Sequence, residues 1–424
     1  MSLTIIKGTI LSAPTLGQLD ALPGGYLVAE DGFIRGVYGS LPEQYAGAPV
    51  EDWGDALILQ SFADLHLHAP QYPMLGMGMD LPLLDWLNAY AFPTEARFAD
   101  TGYAREIYSR LARELIANGT TRVCMFSSLH TDATLILMEE LEKAGVTGYV
   151  GKVNMDRNAA PGLLEETTEE SRRETLRWLD ACQDFRLVKP MLTPRFTPAC
   201  TDELMAWLGR TAAERNLPIQ SHLSENDREV AWVHELHPDC TQYWESYRKF
   251  GLWNERTLMA HCVWSDARER QAMRDAGVTA VHCADSNQNI CSGVAPVRAM
   301  LNEGVKVALG SDIAGGDHLH MFDVVAASIR ASKARRVLDN WETDFLTVPE
   351  GWYLATSAGA AYFAEQPGFA PGNHLHALVL ADDDLPQPHP MTPQERLERA
   401  VYLRQGGAIR AVWSEGRKVF SAEG

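Results

Sequence analysis

Two histidines one residue apart close an apolar run, Leu57-Ile58-Leu59-Gln60-Ser61-Phe62-Ala63-Asp64-Leu65-His66-Leu67-His68. In a strand, residues i and i+2 face the same way, so both imidazoles would project toward one point. Two neutral imidazoles converging there suit a divalent metal. The alternative is a half-buried strand that ends in two polar residues. Further groups able to do chemistry follow other apolar runs. Thr193-Pro194-Arg195-Phe196, Ser221-His222-Leu223-Ser224-Glu225, Ala260-His261-Cys262, His282-Cys283-Ala284-Asp285 and Gly310-Ser311-Asp312 each stand where such a run stops. Singly, each has a structural explanation. His282 reads as a packed histidine, and Arg195 could be half of a structural salt bridge. Glu225 could complement a helix N-terminus, and Asp312 could cap one. Their shared placement at run ends argues for a single site.

That placement requires a scaffold that brings run ends together. Eight short apolar runs, 56–65, 121–126, 148–153, 187–192, 218–221, 257–260, 278–282 and 306–309, alternate with helix-like stretches. In residues 100–117, Tyr103, Ile107, Leu111 and Leu115 recur at i+4, and Gly119 closes the pattern. Such alternation implies right-handed βαβ units and a parallel sheet. Eight repeats fit an α/β fold, the (β/α)8 TIM barrel, whose chemistry lies at the C-terminal ends of its strands. A doubly wound sheet is the alternative. Both ends of the chain are β-like, with hairpin signals at Asp31-Gly32 and Glu415-Gly416. They predict a small β-sandwich domain built from both termini, residues 1–58 and 366–424, with the barrel over 59–365. Residues 382–390 read as an exposed loop.

The 424 residues are 46% hydrophobic and can bury a large core. A net charge of −19 argues against a nucleic-acid partner, which would need clustered Lys and Arg. A small, neutral or weakly charged substrate is compatible with it. No apolar run reaches the roughly 18 residues of a membrane span, and the N-terminus lacks a secretory pattern. Seven scattered cysteines without a Cys-x-x-Cys pair point to free thiols in a reducing cytoplasm.

Asp64-Leu65-His66-Leu67-His68-Ala69-Pro70-Gln71-Tyr72-Pro73 is the most specific stretch. It is followed by Asp80-Leu81-Pro82-Leu83-Leu84-Asp85-Trp86-Leu87 and Phe92-Pro93-Thr94-Glu95-Ala96-Arg97-Phe98. With Thr193–Phe196, Ser221–Asn226 and 310–316, this pattern resembles the amidohydrolase superfamily. Within it, the purine and pyrimidine deaminase branch is closest, and in that branch the guanine deaminases. Gln288-Asn289-Ile290-Cys291 departs from the smaller or apolar residues of the family. The resemblance implies zinc-dependent hydrolytic deamination of guanine to xanthine and ammonia. One Zn²⁺ per chain would be held by His66, His68, His222 and Asp312, a donor set that also accepts Fe²⁺. Glu225, His261 and Asp312 would carry the catalysis. Gln71, Arg195, Phe196, His222 and Glu225 would bind the purine. Lys189 lies near the start of the fourth run, where a two-metal relative would need a bridging lysine at its end. The resemblance further implies a cytoplasmic homodimer. Alternatives are a deaminase of another aminated heterocycle, such as a pterin, 8-oxoguanine or a triazine, and a non-catalytic barrel scaffold.

Overall fold

The computed structural model describes residues 2–160, 162–382, 386–403 and 408–422. Residues 383–385 of the loop expected at 382–390 lie outside this range. Asp382 itself is buried and paired with Arg396 Nη2 at 2.5 Å, so the loop begins anchored rather than exposed.

Eight parallel strands form the barrel wall in two hydrogen-bonded halves. Phe62–His68, Thr120–Phe126, Thr147–Gly151 and Val188–Pro190 make one; Ile219–Leu223, Thr257–His261, Thr279–His282 and Lys306–Leu309 make the other. Backbone bonds join both seams. Leu192 bridges Ile219 in parallel register at one. At the other, Asp312 N–H donates to the His66 carbonyl at 2.8 Å and His68 N–H to that of Ile313 at 3.0 Å. Between the strands run the helices expected from the periodicity. Thr101–Ala117 starts at Asp100, whose carboxylate accepts from Gly102 and Tyr103 N–H. Its face of Tyr108, Leu111, Ala112 and Leu115 packs into the main core between strands and helices.

The run at 56–65 is two strands, not one. Glu51–Gln60 belongs to the terminal sheet and Phe62–His68 opens the barrel. An unbroken apolar sequence hides the division, because both strands are buried. The terminal β layer is one seven-stranded sheet rather than two separate ones. Its order is Arg417–Ser421, Ala408–Ser414, Ala377–Ala381, Glu51–Gln60, Leu3–Ser12, Asp20–Glu30, Phe33–Tyr38. The hairpin tips at its two edges meet. A Cβ on Gly416 would sit 2.1 Å from Gly32 Cα, and one on Gly32 3.0 Å from the Glu415 carbonyl oxygen. The sheet therefore curls on itself and encloses Ile6, Ile10, Leu27, Val379, Ala411 and Trp413. Leu57, Leu59, Leu378 and Val412 belong to the barrel core. Among the described residues, no helix is long and apolar enough to cross a membrane. All seven cysteines are free, and six are buried.

Candidate active site

Two local departures from regular strand geometry aim the histidines inward. In Phe62–His68, Ala63 and Leu65 face the barrel interior, while Phe62 and Leu67 join the outer core. Strict alternation from Leu65 would send His66 outward. A register shift between Asp64 and Leu67, against Thr120–Phe126, reverses the phase, so His66 and His68 turn to the centre. In Thr257–His261, Met259 faces outward, and alternation would place His261 beside it. Instead His261 adopts φ 73° and its ring lies 5.3 Å from those of His66 and His222. Asp312 is also left-handed, at φ 47°. Such backbone in non-glycine residues is costly and clusters at functional sites.

The buried donors converge. His66 Nε2 and His68 Nε2 lie 3.2 and 3.5 Å from Asp312 Oδ1, and His68 Nε2 lies 3.1 Å from His222 Nε2. His222 Nδ1 is 2.5 Å from the Arg195 carbonyl, which can only accept. Nδ1 therefore carries the proton, and Nε2 turns a lone pair to the centre. His261 Nδ1 donates to Asn287 Oδ1 at 2.9 Å, with the same consequence. Burial pushes the pKa of His66 down, and those of His68 and His222 well down, so neutral imidazoles result. Burial alone would raise the Asp312 carboxyl, but His66, His261 and His68 outweigh it and hold it ionised. His66 Nε2 is a buried ring nitrogen with no hydrogen-bond partner. Three neutral imidazoles, one of them with an unpartnered Nε2, and a carboxylate fit a divalent metal. His66, His222 and His261 form one compact donor group, and His66, His68 and Asp312 another.

Glu225 stands beside this cluster, its Oε2 3.5 Å from His261 Nε2. Burial first, and the Asp312 charge second, push its pKa well above the ordinary carboxylate range. The helix that follows, Asp227–Leu236, opens with an Asn226/Glu229 capping box. Glu229 also accepts from the Glu225 backbone N–H at 3.0 Å, which anchors the residue that carries the acid.

A narrow cavity of about 40 Å³ opens onto the cluster. Its lining includes His68, Gln71, Arg195, Phe196, His222, Glu225, His261 and Asp312. His66 lies beneath, against Asp312. His66, His68, Gln71, Arg195, Phe196, His222, Glu225, His261 and Asp312 are thus brought to one place. His282 is not; it lines a different cavity beside Arg298, and burial pushes its pKa down to about 4. Lys189 is exposed and donates to the Phe185 carbonyl. The salt bridge considered for Arg195 exists: its Nη1 and Nη2 donate to Glu95 at 2.6 and 2.9 Å. Arg195 nevertheless lines the cavity.

Several contributors carry no catalytic signature in the sequence. Leu83, Trp86, Leu87 and Ile290 form the apolar wall. Asp64 grips Ser311 through N–H and Oγ, at 2.9 and 2.5 Å, and so steadies Asp312. Glu95 and Asn287 act through neighbours. Asp64 and Glu95 sit inside the distinctive stretches, which was the available signal; for Asn287 there was only its place after the seventh strand.

A match to the amidohydrolase family spans residues 57–419. The chain belongs to the amidohydrolase family. Its relatives include guanine deaminase of Dictyostelium discoideum, 34% identical over 98% of this chain and 98% of the relative. Human guanine deaminase is 39% identical over 76% of this chain and 72% of the relative. The crystal structure of guanine deaminase from C. acetobutylicum with bound guanine in the active site has a TM-score of 0.96 at 42% identity. That match covers 99% of this chain and 100% of the other.

Proposed function

We propose that the chain hydrolyses guanine to xanthine and ammonia with one zinc ion, held by His66, His68, His222 and Asp312. One observation carries the reading: the buried carboxyls of Glu225 and Asp312 share a cavity with the donors of Gln71 and Arg195. When bound, zinc is a Lewis acid that makes hydroxide available near neutral pH.

The side chains move the protons. Asp312 takes the proton of the attacking water as its oxygen bonds to C2. Glu225 protonates ring N3, takes the proton of the C2 hydroxyl as C2=O forms, and passes it to the amine as the C2–N bond breaks and ammonia leaves; the proton held by Asp312 then restores Glu225. His261 lies between them, 3.7 Å from Asp312 Oδ2, and polarises the attacked centre. Gln71 and Arg195 donate to the O6 and N7 edge of guanine, whose acceptors are adjacent. Phe196 packs on the ring, and His222 borders it. Lys189, exposed and remote, supports one metal rather than two. On this reading the chain would act in cytoplasmic purine breakdown, as a homodimer.

The test is ammonia release from guanine, a pterin, 8-oxoguanine and a triazine by purified protein, with metal content measured on the same sample. Guanine is expected to be fastest, with one zinc per chain. A faster panel compound would displace guanine as substrate, inertness toward all would favour a scaffold, and two ions per chain would end the single-metal reading.

A further inference from the structure

We infer that Glu95 is a positioning residue that makes the purine-facing wall donor-only and electrically neutral. The inference rests on the reading of the cavity as a purine site. Glu95 lies on Phe92–Ala96, is 1% exposed and does not border the cavity. Its carboxylate can only accept. It takes Arg195 through both Nη atoms and Gln71 through Nε2, the last at 2.8 Å. The Gln71 amide is fixed from its other end as well, because Ala314 N–H donates to its Oε1 at 3.0 Å. A carboxylate on one side and a main-chain N–H on the other permit one amide orientation only. Phe92, on the same helical turn, lies 5.1 Å from the Arg195 guanidinium and flanks it.

Two consequences follow for recognition. Gln71 can offer the cavity its second Nε2–H, and Arg195 the guanidinium N–H groups that Glu95 leaves unused. These donors come without net charge, because Glu95 offsets the Arg195 cation next to His68 and Glu225. An uncharged base with two adjacent acceptors satisfies that wall. A 6-oxopurine presents such an edge at O6 and N7, whereas a 6-aminopurine sets a donor against donors. Glu95 therefore acts on the choice of ring through Gln71 and Arg195, without touching it.

The experiment is equilibrium binding of hypoxanthine and adenine to the metal-loaded protein by calorimetry. Neither probe carries an amino group at C2, so the readout is separate from turnover at that carbon. The parent is expected to prefer hypoxanthine by about a hundredfold, the scale of one or two unmet buried hydrogen bonds. In Glu95→Gln that preference should fall by about tenfold or more, since Gln71 can then turn over. Guanine KM should rise more than kcat falls, and Glu95→Asp should recover part of the preference. If the lone Arg195 charge prevents folding, E95Q/R195M removes both charges and should show the same lost preference. Variants that keep the parental hypoxanthine-to-adenine ratio, or lose both affinities equally, would overturn the inference. A preserved preference in a parent inert toward guanine would sink the proposed reaction and leave this inference standing.

Discussion

Glu225 illustrates how burial makes a catalyst from an ordinary side chain. Its carboxyl is buried near Asp312, and among the described residues Ser292 Oγ, at 3.3 Å, offers its Oε1 a hydrogen bond. A proton is therefore held where a free glutamate would have lost it. Glu225→Gln keeps the shape and removes the transferable proton. Its kcat for guanine should fall by about 10²–10⁴ while bound metal is unchanged, read by steady-state kinetics and metal analysis together. Near-parental turnover would refute the assigned acid. At this scale the sequence was informative, since residue type and strand-end position named Glu225, His261 and Asp312. Asn287 and Glu95 were not legible as contributors, because each acts by holding another side chain.

Single elements aim these groups. The turn after Lys306–Leu309 is tight: Gly316 N–H donates to the Asp312 carbonyl at 2.7 Å. A Cβ at Gly316 would sit 1.9 Å from the Ser311 carbonyl oxygen, so the backbone itself blocks any larger residue. Gly316→Ala should push Ser311 and Asp312 aside. Loss of such outer support typically costs about 10–100-fold in metal affinity. Zinc titration with a competing chelator should show that loss; unchanged affinity would mean the turn tolerates the shift. Strand and helix alternation was legible because each element writes its period into the apolar pattern. The bulge at Asp64–Leu67 and the left-handed His261 were not, because a phase reversal leaves no mark on composition.

The whole molecule is joined across a buried polar seam. Arg122, on the second barrel strand, donates to Glu365 Oε2 and to the Ser61 carbonyl, both at 2.6 Å. Glu365 also lies 3.6 Å from His376, whose ring approaches Thr121 in the barrel at 3.0 Å and Glu415 in the terminal sheet at 3.2 Å. Arg122→Ala would strand the Glu365 carboxylate in this seam. Stability should drop by about 3–5 kcal/mol, measured by chemical denaturation. A loss under about 1 kcal/mol would show that the seam relaxes or admits water. The sequence by itself determined the barrel class, the β character of both termini and the identity of the metal-type donors, because periodicity and residue chemistry are local properties. Tertiary structure decided which way His66, His68 and His261 face, that the terminal strands form one curled sheet, and that Glu95 holds Gln71 and Arg195 together. Those outcomes depend on register between strands far apart in the chain, which no local pattern encodes.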